Sequence, residues 1–197
     1  MAISAIKHGP LTERKEFVSR RASLLRQEAE RLVGRSNNFS LGRNHFTVYT
    51  APQTDRKIVA EVISQLTIIF QDKFIGVWFE RRPADRLGIV VKVSEVKARY
   101  LPDRFINSER DLRYLVFTLD FEIGNDHLLL NWIHSQTKRK GRGGLSLAML
   151  HNLAQALNLK KIVFLVDTYN EDAKAFYLHM KFGLPLDKER TQWQVKL

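Results

Sequence analysis

An α/β protein is expected, with a mixed, mostly antiparallel sheet flanked by helices and an extra helix at the N-terminus. Three observations predict it. Arg113 to Ile123 alternates strictly, placing Leu115, Phe117, Leu119, Phe121 and Ile123 on one face, and Gly124-Asn125-Asp126 turns the chain into a second strand, His127 to His134. Beyond it the order becomes strand, glycine loop, helix, strand, helix. The run Ile162-Val163-Phe164-Leu165-Val166 is continuously apolar, as in a strand covered on both faces.

The remaining elements follow from periodicity and punctuation. Thr12 to Val33 repeats Phe17, Leu24, Leu25, Leu32 and Val33 on one helical stripe, and Gly34 is a stop signal. Arg35 to Arg43 is a polar connection, so residues 1–43 form a helical extension on a domain spanning 44–197. His45 to Ala51 alternates as a strand ended by Pro52, and Asp55 to Phe70 has helical spacing. Ile75 to Glu80 and Ile89 to Tyr100 are strands separated by Arg82-Pro83-Ala84-Asp85. Leu145 to Leu157 and Asp172 to Met180 are helices, and Gln192 to Leu197 closes the sheet.

The 197 residues suffice for one core. Lys and Arg number 32 against 21 Asp and Glu, a net charge of +11, which favours an anionic partner: RNA, an acidic protein or a phosphorylated cofactor. The cysteine count of zero excludes disulfides, thiolate zinc sites and cysteine nucleophiles. No apolar run reaches membrane-spanning length and no signal-peptide pattern opens the chain, so a cytoplasmic protein without a membrane partner is expected. The six histidines (His8, His45, His127, His134, His151, His179) show no ligand spacing, and no metal is expected.

Function concentrates in Lys138-Arg139-Lys140-Gly141-Arg142-Gly143-Gly144. Glycines allow a tight turn and close approach of a ligand to the backbone, while the helix that follows offers free N–H groups and its positive dipole end. A dinucleotide fold is the weaker reading: Gly141-Arg142-Gly143 follows a strand and opens a helix, and Asp167 ends the next strand, but Ser146 stands at the third glycine, Gln136 to Lys140 intrude before the first, and a single strand–helix–strand unit is evident. No Gly-Lys-Ser/Thr closes the loop and no Gly-x-Ser-x-Gly occurs, so neither a P-loop nor a serine hydrolase elbow is present.

Lys138-x-x-Gly141-x-Gly143, followed after a helix and a strand by Asn170-Glu171-Asp172-Ala173-Lys174-Ala175-Phe176-Tyr177, resembles the GNAT superfamily of acetyl-CoA-dependent N-acetyltransferases. The likeness covers Leu128 to Leu186, about a third of the chain. It departs from the family at Lys138, where Gln or Arg is usual, and at Lys181, which replaces a helix-ending glycine; the helix is therefore expected to run on to Gly183. The resemblance implies acetyl-CoA as co-substrate, its pyrophosphate held by amides from Arg139 to Gly144 with Lys138, Arg139, Lys140 and Arg142 as counter-charges. It further implies that Ile133, His134 and Ser135 hold the pantetheine arm and that Asn170, also a plausible helix cap, touches the cofactor. Tyr177 would be the general acid that protonates the leaving thiolate.

Direct attack needs a neutral amine, which costs ~4–5 kcal/mol for a lysine at pH 7 and ~1 for an α-amine. Candidate bases are Glu122, placed first, Asp120 and His134. The acceptor is left open between a protein amine and an aminoacyl-tRNA, and a homodimer is a possible assembly. The competing reading is a non-catalytic module that binds acyl-CoA or nucleic acid. The N-terminal helix, with Arg14, Lys15, Arg20, Arg21, Arg26 and Arg31, reads either as a charged outer face or as a recruitment surface.

Overall fold

A computed structural model describes residues 10–33, 35–50, 54–95, 115–136, 141–189 and 191–197. Its elements are α1 (Leu11–Val33), β1 (Asn38–Leu41), β2 (Asn44–Thr50), α2 (Arg56–Ile69), β3 (Phe74–Arg82), a 3₁₀ turn (Pro83–Asp85), β4 (Arg86–Ser94), β5 (Leu115–Ile123), β6 (His127–Ser135), α3 (Arg142–Ala156), β7 (Lys161–Leu165), α4 (Glu171–His179), β8 (Leu184–Pro185) and β9 (Gln192–Lys196). Among the described residues nine strands form one sheet in the order β1-β2-β3-β4-β5-β6-β7-β9-β8. Pairing is antiparallel except at β2/β3 and β6/β7, the two places where a helix (α2, then α3) carries the chain back across the sheet.

Alternation along the strands separates the two sheet faces. Phe46, Val48, Ile75, Val77, Ile89, Val91, Phe117, Leu119, Leu128, Leu130, Ile162 and Phe164 are buried toward the helices. α1 packs on both α2 and α3, and α4 joins the same face through Tyr177 on Phe164 and Phe176 on the start of α3. Val18 and Ala29 of α1 belong to the core that the sheet and the other helices share, and buried Ala22 lies on the same stripe. The long helix is thus a layer of the fold. The opposite sheet face carries the polar partners of each strand, among them Glu80, Arg82, Asp120 and Glu122.

Two expectations change. Asn38–Leu41 pairs with β2 instead of serving as a connection, so residues assigned to the helical extension enter the sheet. Helix α4 stops at His179 and does not run on to Gly183. Lys181 takes the left-handed conformation itself (φ 51°), Phe182 N–H bonds to Tyr177 O at 3.0 Å and Lys181 N–H to Leu178 O at 3.0 Å. This is a Schellman closure with lysine at the position glycine favours. Contact between the Phe182 and Tyr177 rings, 6.5 Å apart, holds the stop in place. The expected strand Ile89 to Tyr100 is β4 as far as Ser94, and its last five residues, like Arg113 and Tyr114 before β5, lie outside the described residues.

Candidate functional site

β6 and β7 run side by side only from His127↔Lys161 to Leu130↔Phe164. β6 continues along β5 to Ser135, whereas β7 ends one residue beyond the pairing, at Leu165. The end of the pairing coincides with a bulge: Asp120 faces Trp132 and Phe121 faces Leu130, leaving Asn131 as the extra residue. A bulge bends its strand and redirects a side chain. Here it sends Asn131 Nδ2 to Asp120 Oδ1 and Glu122 Oε1, both at 3.1 Å. Ile133, His134 and Ser135, the residues expected to hold a pantetheine arm, lie in the stretch of β6 beyond that pairing.

The carboxyl ends of two adjacent parallel strands open toward the starts of α3 and α4, the arrangement in which α/β sheets bind ligands. Trp132 (57% exposed) and Leu165 (68% exposed) lie near the end of the β6/β7 pairing, on the face away from the helices. The helix after the glycine loop begins at Arg142, three residues before the periodicity suggests, so Gly143 and Gly144 lie within its first turn. Gly141 is the N-cap in left-handed conformation (φ 70°), with no side-chain cap. Lys138, Arg139 and Lys140 lie outside the described residues.

Gly143 and Gly144 have a second use that the sequence does not disclose. A Cβ on Gly143 would stand 3.0 Å from Phe176 Cζ, so this glycine lets α4 press against α3. A Cβ on Gly144 would collide with Arg14 Nη1 of α1. Both glycines accommodate the protein's own side chains. A bulky Gly143 variant would therefore strike Phe176, besides any effect on a bound phosphate. Arg142 points toward α2: its guanidinium lies 6.0 Å over the Phe70 ring, beside a cavity of about 230 Å³ lined also by Gln71, Asp72 and Lys73. Burial lowers its pKa, partly countered by Glu95.

Tyr177 is 6% exposed and packs on Phe164 at 4.5 Å, with Trp193 at 5.9 Å. Burial pushes its phenol up to about 12, so it stays protonated across the physiological range. Phe164 is the last residue of β7 paired with β6, so the Tyr177 ring packs beside the end of that pairing. Asn170 caps α4, its Oδ1 accepting from Ala173 N–H at 3.0 Å. Buried Lys174 pins the loop before it, donating to Thr168 O at 2.6 Å and Glu171 Oε1 at 2.9 Å.

Glu122 sits in a network on the open face. Arg82 lies across Gly88, where a Cβ would meet its side chain, and donates Nε to Glu80 at 2.8 Å, Nη1 to Glu122 at 2.8 Å, and both Nη atoms to Asp120 at 3.0 Å. Arg86 reaches the other Glu122 oxygen at 3.1 Å. Burial raises the Glu122 pKa, but hydrogen bonds from Arg82, Asn131 and Arg86 outweigh it and hold the carboxyl below its ordinary value. A carboxylate so stabilised is a weak proton acceptor. Burial likewise lowers the Arg82 pKa, and its bonds to Asp120, Glu122 and Glu80 more than restore it. His134, beside Thr118 in register and stacked on Trp132 with centroids 6.5 Å apart, lies outside that network.

No protein-family model matches the chain, and no curated protein matches it. The functional reading rests on the site itself. Among the described residues no His, Asp and Glu group could hold a metal ion, and no helix is long and apolar enough to cross a membrane. Arg14 and Asn131 are the site-shaping residues that sequence reasoning missed: Arg14 read as one cation of a charged helix, and Asn131 as an ordinary strand position.

Proposed function

We propose that the chain is an acetyl-CoA-dependent N-acetyltransferase of the GNAT type. The observation that carries this reading is the end of the β6/β7 pairing at a bulge, with the glycine-rich start of α3 at the same end of the sheet. An extended acyl-pantetheine could lie along β6 beyond that pairing on main-chain groups of Ile133 to Ser135, and its diphosphate would meet the amides of α3. The amine nitrogen forms a bond to the thioester carbonyl carbon, the C–S bond breaks, and the phenol of Tyr177 hydrogen-bonds or protonates the departing sulfur. His134 is better placed than Glu122 to take the amine proton, because Glu122 is engaged by three donors.

A second reading has its own support. Arg14 lies over Gly144 and Tyr177 is buried in an aromatic cluster, as in a member of the fold that has kept the architecture and lost turnover. In that case the net charge of +11 points to an anionic partner such as RNA. Calorimetry separates the two. The acyltransferase reading expects acetyl-CoA to bind and labelled acetyl to appear on an amine in cell extract by mass spectrometry. Absent acetyl-CoA binding, together with RNA affinity that falls steeply with salt, would overturn it. In the active protein Tyr177→Phe should lower turnover at least tenfold with acetyl-CoA affinity nearly unchanged; unaltered turnover would remove Tyr177 from the chemistry.

A further inference from the structure

The acyltransfer reading gives α1 no task, yet this helix meets the glycine turn directly. Arg14 is 5% exposed, donates Nη1 to Gly141 O at 3.5 Å, and fills the volume that a Gly144 side chain would need. Gly141 has no side chain with which to cap α3, and its carbonyl otherwise accepts only the regular helical bond from Leu145 N–H at 3.1 Å among the described contacts. Within the turn's own sequence Ser146 Oγ donates to Arg142 O at 2.9 Å. The side-chain bond to Gly141 O comes from 127 residues away.

Two further ties keep α1 in place. Asn152 of α3 donates to Lys15 O at 2.9 Å, and Arg26 pairs with Glu61 of α2 at 2.5 Å. Buried Ala22 and Ala29 allow the helix to approach closely. Placing a guanidinium out of water, at the positive end of a helix dipole, opposes both solvation and field. Burial lowers the Arg14 pKa accordingly. The position is thus unfavourable for the charge and useful for the shape.

We infer that Arg14 is a positioning residue: α1 is a strut that holds Gly141 to Gly144 in the conformation that receives the acyl-CoA diphosphate, and undocking of α1 releases the turn. The consequence for the ligand rests on the acetyltransferase reading; the mechanical half does not.

Hydrogen-exchange mass spectrometry on the full chain tests the strut. In Arg14→Gln the peptide spanning Leu145 to Met149 should exchange about tenfold faster, the worth of one net hydrogen bond, while strand peptides in β3 and β4 keep their protection. Arg14→Lys keeps charge and stem but loses the fork, so it should show an intermediate effect, and it carries the test should Arg14→Gln not fold. Titration with acetyl-CoA should give about tenfold weaker binding in Arg14→Gln. Unchanged exchange in both variants overturns the inference. Weaker binding with unchanged exchange would make Arg14 a direct ligand of the anion and equally refute a positioning role. If the unmodified protein binds no acetyl-CoA, the acyltransferase reading fails, and the exchange experiment still decides whether α1 is a strut.

Discussion

Gly144→Ala should change sign with the residue at position 14. In an ordinary helix the exchange of glycine for alanine stabilises by up to ~1 kcal/mol, because alanine loses less backbone freedom on folding. Here the new methyl would run into Arg14 Nη1 and approach Met180 Cε at 2.9 Å. The methionine end is flexible and yields at little cost. Arg14 is buried and bonded to Gly141 O, so it must leave its site or strain the turn. Overpacking of this kind costs ~1–3 kcal/mol. After subtracting the propensity gain, Gly144→Ala should destabilise the protein by ~1–2 kcal/mol, roughly 2–8 °C in melting temperature for a chain of this size. With Arg14→Ala the obstruction is gone, and Gly144→Ala should stabilise by a few tenths to ~1 kcal/mol. Urea unfolding of the four proteins of this cycle gives the coupling directly. An equal effect of Gly144→Ala in both backgrounds would refute the claim that Gly144 is glycine because of Arg14.

Three other outcomes follow from individual contacts. Lys181→Gly relieves a left-handed lysine at the end of α4 and should raise stability by ~1 kcal/mol in a thermal melt, with no change expected in the contacts of Tyr177. His151 is 7% exposed, and burial, then the neighbouring Lys15 charge, depress its pKa from 6.5 to about 4. The unfolded chain therefore takes up a proton that the native state refuses between those values. Stability is full above pH 6.5 and falls as pH drops toward 4, by up to ~2–3 kcal/mol, and His151→Gln should flatten that limb of a stability–pH curve. Glu122→Gln leaves Arg82 and Arg86 with one carboxylate fewer, which should cost ~1–3 kcal/mol at pH 7. Because the Glu122 pKa is held below its ordinary 4.5, its contribution is present above that pH and is lost on further acidification, so wild type and variant should converge in acid.

The frame of the fold was legible because each element is written in a local period. The alternation of β5 and the apolar run of β7 give strands, and Asp55 announces α2 by accepting from Lys57 N–H at 2.8 Å. β1 escaped because Asn38–Leu41 is four residues long, too short for the alternation of Phe39 and Leu41 to stand out within a stretch otherwise rich in polar residues, although its partner follows after the two-residue turn Gly42-Arg43. The glycine turn was legible as a place, and the packing behind two of its glycines was not. Sequence shows that residues 141, 143 and 144 are glycines, and only Gly141 needs to be one for its own backbone. The need at positions 143 and 144 is set by Phe176 and Arg14, which pack there from other helices. Asn131 was hidden for a related reason. A bulge is a mismatch between two strands, and neither strand carries it alone.

The acid and base assignments, taken together, bear on the acceptor under the proposed reaction. A phenol pushed up to about 12 is a reluctant donor to a thiolate, and its help is greatest as a hydrogen bond made while negative charge grows on sulfur. Glu122, drawn below its ordinary range, is an equally reluctant acceptor for the proton of an ammonium. An enzyme with these two groups gains little from forcing a lysine side chain neutral, a step that costs ~4–5 kcal/mol at pH 7. An α-amine needs only ~1 kcal/mol and can give its proton to His134 or to water. The site therefore suits an acceptor whose amine is already largely free, such as a protein N-terminus or the α-amine of an aminoacyl group. Rates with two peptides that differ only in bearing a free α-amine or a free lysine side chain would show this. Faster turnover of the lysine peptide at pH 7 would refute this preference for an amine that is already free.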